Sequence, residues 1–264
     1  MSPALAGVAL AAGSGTRLRP LTTLRPKALC PVGNVALLTH ALARLRPHTG
    51  DGPPHLAVNA HHLASQVVAA VGDHAHTVVE QPVALGTAGA LGGLRDWLDG
   101  RDVLVTNSDA YLPDGLVPLV DGWDRQRCRL LVVATTGRGD FRDARGPVRY
   151  VGASLLPWRL VATLDALPSG LYEVLWRAED AAGRLDLVRT AGTAIDCGTP
   201  ADYLRANLHA SGGHPVIAPG AIVLGRVERS VVWDGAYVGP REHLSDCVRA
   251  GSRAAPLTVP AHPA

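Results

Sequence analysis

The segment "LAAGSGTRLRPLTTLRPKAL", Leu10 to Leu29, joins a short apolar run to a glycine-rich, basic loop. Gly13 and Gly15 carry no Cβ, so the backbone there can approach a ligand closely, and amides presented by such a turn suit phosphate oxygens. Two well-known phosphate loops do not fit. A P-loop closes on Gly-Lys-Ser/Thr, whereas Gly15 is followed by Thr16 and Arg17. A dinucleotide fingerprint needs a third small residue where Leu18 stands. It also needs an acidic residue about twenty positions on, and none lies near Leu37–Leu38. Two readings are left. One is a phosphate cradle of a different kind, with charge from Arg17 and Lys27. The other is a plain glycine turn with a solvated arginine.

Lys27 is the only lysine among 25 basic residues in a chain of 264. A GC-rich genome accounts for the arginine excess, but not for where the one lysine stands. Hydrophobic content of 47% with 18% charged residues describes a globular protein able to bury a sizeable core. The net charge of +2 gives no reason to expect a nucleic-acid or membrane partner. Cys30, Cys128, Cys197 and Cys247 are scattered and form no CxxC pair, as expected of reduced thiols in a cytoplasmic protein. The apolar Ala4–Ala12 has no basic residue before it, so it reads as a buried first strand rather than a leader. No apolar run approaches the ~18 residues of a membrane span. The eleven histidines lack partners at metal-ligand spacing and read as surface or helix-cap residues.

Beyond the loop, apolar strands alternate with helical patterns. Strands are expected over Leu5–Ala12, His55–Ala60, His76–Glu80, Asp102–Asp109 and Arg129–Thr136. Helices are expected over Leu37–Pro47, Leu63–Val71 and Thr87–Leu98. In the first helix Leu38, Ala41, Leu42 and Leu45 share a face, and Pro47 is expected to stop it. Continuous apolar strands between helices predict a mostly parallel sheet covered on both faces. After Gly137 a loop and antiparallel strands are expected, then helices over Leu171–Ala182 and Thr199–Ala210. The second of these has Thr199 as N-cap and Pro200 in its first position. From Ile217 to Gly239, apolar residues and glycines recur every five to seven positions, as in short stacked strands of an incomplete β-helix. So short a coil cannot bury a core alone, and is expected to pack on the main domain or on another subunit.

Leu10–Leu29 resembles, almost residue for residue, the signature of the sugar nucleotidyltransferases, the NDP-sugar pyrophosphorylases. The resemblance continues through "EQPVALGTAGAL" (Glu80–Leu91), "LVTNSDAYL" (Leu104–Leu112), "YVGASLLP" (Tyr150–Pro157) and "IDCGTPADYLRAN" (Ile195–Asn207). It implies a Rossmann-like, three-layer α/β/α nucleotidyltransferase domain over residues 1–211, with a mixed, mostly parallel sheet. The nucleotide would bind within about 1–136 and the sugar phosphate within 137–211. Residues 212–264 would form a short left-handed β-helix-like tail, through which a homo-oligomer could assemble. "GRGDFR" (Gly137–Arg142) and the compact second half are most similar to short members that activate mannose 1-phosphate or N-acetylmuramic acid 1-phosphate.

The implied reaction joins an NTP to a sugar 1-phosphate and releases pyrophosphate. The sugar phosphate is already ionised at neutral pH, so the chemistry calls for charge neutralisation and positioning rather than a general base. By resemblance, Mg²⁺ would be held by Asp109 and Asp196, Arg17 would grip the β- and γ-phosphates, and Lys27 would bridge nucleotide and sugar phosphate. The nucleotide would lie on Ala11, Gly13, Gly15, Thr16, Gln81, Gly86 and Thr87, and the sugar on Asn107 and Gly152. Many members carry a Glu-Lys-Pro lysine for the sugar phosphate. This chain has none, and Arg142, Arg145 and Arg149 are the candidate substitutes. GTP with mannose 1-phosphate is the leading pair. Uridylyl or thymidylyl transfer to glucose 1-phosphate or to an amino-sugar 1-phosphate is the alternative. A catalytically silent binding or regulatory relative is a third reading.

Overall fold

A computed structural model describes residues 5–261. The outer ends of the two expected regions, 1–4 and 262–264, lie outside the described residues. The main sheet contains β1 (Ala6–Leu10), β2 (Leu56–Ala60), β3 (His76–Val79), β4 (Val103–Asn107), β5 (Cys128–Ala134), β6 (Phe141–Asp143), β7 (Gly146–Leu156) and β8 (Leu185–Arg189). Their order is β8-β5-β7-β4-β1-β2-β3, with β6 added to β7. Strands β1 to β4 run parallel, β7 is antiparallel to β4 and β5, and β8 is parallel to β5. This is the mixed, mostly parallel sheet the sequence predicts.

The strands are continuously apolar because both sheet faces are covered. Along β1, Ala9 faces one core with Leu38, Leu42 and Val67. Ala6 and Val8 face the other, with Ala88, Leu91 and Leu98. The helices responsible are α1 (Leu37–Thr49), α2 (Ala64–Val71) and α3 (Gly86–Gly93).

Three local expectations need correction. Helix α1 does not stop at Pro47 but runs to Thr49, where Gly50 at φ +99° closes it by donating to Arg46 O. Near the helix end a proline forfeits a single amide hydrogen bond, and burial of Leu38, Ala41, Leu42 and Leu45 outweighs that loss. The helix expected over Thr87–Leu98 breaks at Leu94 into α3 and a separate turn, Arg95–Leu98. Gly89 and Gly92 face a neighbouring loop here, and a Cβ would lie 2.2 Å from Leu167 O and 2.4 Å from the Asp165 carbonyl. The helix expected over Leu171–Ala182 begins with a widened π-type turn at Tyr172–Trp176.

The tail forms the expected coil. Val216–Ile217, Val231–Val232 and Cys247–Gly251 stack in parallel on one side. Ile222–Val223 pairs with Tyr237–Val238 on the second side, and Arg226–Glu228 with His243–Ser245 on the third. Pro256–Pro260 then folds back antiparallel on the last strand. The coil packs on the same chain: Val216, Val231, Trp233 and Val248 share a core with Leu18, Leu21, Cys30, Val32 and Tyr203. Helix α4 (Pro200–Ala210) lies between them, capped as expected by Thr199, whose hydroxyl accepts the Asp202 amide at 3.2 Å.

Candidate active site

Strand β1 is flanked by β2, which follows it in the chain, and by β4, reached from β3 by a connection that crosses back, so the strand order reverses at β1. Open α/β sheets leave a crevice at such a switch point, beyond the carboxyl ends of the strands. The loop after β1 and the loop after β4 meet there. Both the Ser108 amide and its hydroxyl donate to Leu10 O, at 3.0 and 2.8 Å. The Ala11 amide donates to Asn59 Oδ1 at 2.7 Å. Asn59 Nδ2 in turn donates to Glu80 Oε1 at 2.7 Å, and Glu80 Oε2 accepts the Leu85 amide at 2.7 Å. This buried chain ties the β1 loop to the segment before α3.

Gly15 adopts φ +61°, and a Cβ there would lie 2.8 Å from Thr22 Cγ2 and 3.0 Å from Lys27 Cβ. Its carbonyl accepts the Thr22 hydroxyl at 2.9 Å. The loop therefore curls tightly over the segment that carries Lys27, which a side chain at position 15 would prevent. Gly13 has open space where its Cβ would be and faces the cleft.

Lys27 occupies a short 3₁₀ turn after Pro26 and is buried. Its Nζ donates to Asp109 Oδ2 at 2.6 Å and to Asp196 Oδ1 at 3.3 Å, while Arg17 Nη2 meets Asp196 Oδ2 at 3.2 Å. Burial works to lower the Lys27 pKa. The two carboxylates, by charge and hydrogen bond, outweigh it and hold the pKa above 10.5. The ammonium is thus charged at any neutral pH. Asp109 and Asp196 come from distant parts of the sequence, brought together by a short antiparallel pairing in which Asp196 opposes Ala110 and the Cys197 amide donates to Asp109 O at 3.0 Å.

Beneath them, Arg44 of α1 is buried and donates to Thr106 Oγ1 at 2.9 Å and to the Asn107 carbonyl at 2.8 Å. Burial lowers its pKa to about 10, with Asp109 acting in the opposite direction, so it too is a cation. It fixes the end of β4 from below.

The Lys27–Asp109–Asp196 cluster stands between two clefts. One, about 200 Å³, is lined by Ala11, Gly13, Lys27, Asn59, Gly86, Thr87, Asn107 and Asp109. The other, about 480 Å³, is lined by Arg17, Asn107, Asp109, Arg149, Gly152, Asp196 and Arg205. A third depression beside both, about 210 Å³, is lined by Tyr150, Gly170 and Glu173. The structure thus brings together Ala11, Gly13, Lys27, Gly86, Thr87, Asn107, Asp109, Gly152, Asp196 and Arg17. It does not bring in Thr16 or Gln81, which are exposed, or Gly15, which turns against Thr22 and Lys27; none of the three lines these clefts. Gly86 and Thr87 also have a structural task. Gly86 at φ +70° lies against Ser169 O, and the Thr87 hydroxyl accepts the Leu171 amide at 2.8 Å. Of the three candidate arginines, only Arg149 lines the larger cleft. Asn59, Glu80, Arg44, Arg205 and Glu173 were missed from sequence. Asn59 and Glu80, polar residues at the ends of apolar strands, were the only ones with a visible signal. The carboxylates present two hard oxygen donors to the cleft, with side chains 35% and 60% exposed, so the donor set suits a divalent cation such as Mg²⁺.

The fold and this site define a nucleotide-handling α/β enzyme class, and comparison with known proteins agrees. The sequence profile of the nucleotidyl transferase family matches residues 6–140, and the chain belongs to that family. It is 32% identical over 229 residues to the N-acetylmuramate α-1-phosphate uridylyltransferase of Caulobacter vibrioides, covering 75% of this chain and 93% of that one. It is 26% identical to the mannose-1-phosphate guanylyltransferase of Mycobacterium tuberculosis, covering 88% of this chain and 71% of that one. Among solved structures, a Thermus thermophilus protein described as a mannose-1-phosphate geranyltransferase superposes with TM-score 0.72 at 19% identity. The superposition covers 98% of this chain and 95% of that one, so the likeness of fold includes the tail.

Proposed function

We propose that this chain transfers a nucleotidyl group from an NTP to a sugar 1-phosphate, releasing pyrophosphate. The observation that carries the reading is the single lysine, buried and charged, held between two carboxylates where two clefts meet. The smaller cleft takes the nucleoside, with its phosphates over the Gly13–Arg17 loop. The larger cleft takes the sugar 1-phosphate. An oxygen of that phosphate forms a bond to the α-phosphorus as the bond to the β-phosphate oxygen breaks, and no proton need move. Lys27 neutralises charge between the reacting phosphates. Arg17, fork-shaped and exposed, exchanges its pairing with Asp196 for the departing pyrophosphate. Mg²⁺ held by Asp109 and Asp196 would supply further neutralisation of the phosphates. Arg149 takes the place of the missing Glu-Lys-Pro lysine. It lines the sugar cleft and makes no ion pair among the described residues.

GTP with mannose 1-phosphate is the first substrate reading, supported by the 26% identity to the Mycobacterium tuberculosis mannose-1-phosphate guanylyltransferase over 88% of this chain. UTP with N-acetylmuramate 1-phosphate is the second, favoured by 32% identity across nearly all of the Caulobacter enzyme. Among the described residues no helix is long and apolar enough to cross a membrane. All four cysteines are free and buried, which favours a reduced, cytoplasmic setting. A matrix of NTPs against sugar 1-phosphates, read by pyrophosphate release with and without a chelator, tests all of this. One pair should stand out and should need a divalent ion. If no pair releases metal-dependent pyrophosphate, the catalytic reading fails. Pairing of two copies through the tail is read in the same preparation by light scattering.

A further inference from the structure

We infer that Trp233, in the C-terminal coil, is a positioning residue for Lys27. The coil contributes no side chain to the two clefts that flank the lysine. Yet one of its side chains reaches both ends of the segment that carries Lys27. On the upstream side, the Arg25 guanidinium lies over the Trp233 ring, 4.3 Å from its centroid. On the downstream side, Trp233 Nε1 donates to the Tyr203 hydroxyl at 3.0 Å, and that hydroxyl donates to the Pro31 carbonyl. The Tyr203 and Trp233 rings meet edge to face, at 87°. Trp233 is 2% exposed and Tyr203 is fully buried, so the hydrogen bond between them is shielded from water, while Arg25 is half-buried over the ring.

Between the two anchors, the chain is a tight 3₁₀ turn, with the Leu29 and Cys30 amides donating to Pro26 O and Lys27 O. A turn so short has little freedom of its own, so the direction of the Lys27 side chain follows the positions of Arg25 and Pro31. Trp233 is itself fixed within the coil, its amide donating to Arg249 O at 2.8 Å. The tail is thus a rigid backing for the one ammonium in the cleft. Loss of the backing should leave Lys27 in place on average but less well aimed, which affects the rate more than substrate binding.

Because Lys27 is the only lysine, its environment can be read directly. The test measures the rate at which acetic anhydride acetylates Lys27, resolved from the N-terminus by peptide mass, in the parent, Trp233→Phe and Tyr203→Phe. The control is Leu98→Ala, which destabilises the separate core beneath β4 without touching this segment. We expect both aromatic variants to be acetylated about tenfold faster than the parent, and the control to match the parent. A less well aimed lysine should also lower kcat about tenfold with the KM for NTP nearly unchanged, since imperfect alignment is felt mainly in the transition state. The kcat measurement rests on the nucleotidyl-transfer reading, whereas the acetylation measurement does not, so the two can fail separately. If Trp233→Phe does not fold, Tyr203→Phe, which removes one buried oxygen, decides the matter. Acetylation of the aromatic variants at the rate of the parent and the control, with only their melting lowered, overturns the inference.

Discussion

Replacing Lys27 by Met removes the ammonium and keeps most of the unbranched stem. Its effect on stability follows from the exposures. The lysine side chain is 8% exposed, but Asp109 is 35% and Asp196 is 60% exposed, so both carboxylates rehydrate once their partner has gone. Partly exposed pairs are worth about 0–1 kcal/mol each, and a chain of this size loses about 2–4 °C per kcal/mol, so melting should fall by no more than about 8 °C. The rate should respond far more strongly. Deleting one preorganised charge partner of a reacting oxyanion removes about 10²–10³-fold in kcat. The pH dependence has a definite sign. The Lys27 pKa is raised above its unfolded 10.5, so its pairing contributes fully below that value and fades only as pH rises beyond it. A pH profile across neutrality should therefore show no step from Lys27. Without the ammonium, Asp109 and Asp196 repel each other, so added Mg²⁺ should raise the melting temperature of Lys27→Met more than that of the parent. Steady-state kinetics and thermal shift on the same preparations give both numbers. A rate within about tenfold of the parent, with a large drop in melting, would refute the assignment of Lys27 to the chemistry.

Three further outcomes follow from packing and charge. Gly89→Ala should lower stability by about 1–3 kcal/mol or more, because its Cβ would meet Leu167 O at 2.2 Å. Gly93→Ala, whose nearest contact is an ordinary 3.6 Å, should be neutral or gain about 0.5–1 kcal/mol in chemical denaturation. Asp143 is held at about 2 by the hydrogen bonds of Arg189, so this pairing stabilises the fold above about pH 3.8 and is lost as pH falls toward 2. The gap in denaturation midpoint between the parent and Asp143→Asn should accordingly be full near neutrality and narrow on acidification. All four cysteines are buried, and burial pushes the Cys30 and Cys128 thiols up to about 12. A thiol reagent at mildly alkaline pH should titrate none of them in the folded protein and all of them in denaturant.

The parts of the fold legible in sequence are those governed by local periodicity. The strands buried on both faces, the Leu38–Leu45 helical stripe, the Thr199 cap and the five-to-seven-residue rhythm of the tail all announce themselves within a short window. The misjudged boundaries are those where neighbours distant in sequence decide. Pro47 is tolerated because the rest of α1 is anchored in the core, and the glycines at 89 and 92, read only as helix residues, let α3 approach the loop at 165–169. Gln81 was drawn into the expected site by its neighbours in sequence, yet its side chain is exposed, outside the clefts. Asn59 and Glu80 escaped because a polar residue at a strand end is ordinary until the strand beside it is known.

The sequence by itself determined that a glycine-rich, basic loop follows a buried strand and that Lys27 stands alone among arginines, both properties of residue type and spacing. Resemblance to the sugar nucleotidyltransferases, and not spacing, singled out Asp109 and Asp196. Only the tertiary structure decided that one ammonium meets both carboxylates, that Arg149 rather than Arg142 or Arg145 faces the larger cleft, and that a tryptophan in the tail braces the lysine segment. The reason is distance along the chain. Contacts spanning 82, 169 and 179 residues are fixed by sheet order and by a shared core, and no local pattern encodes either.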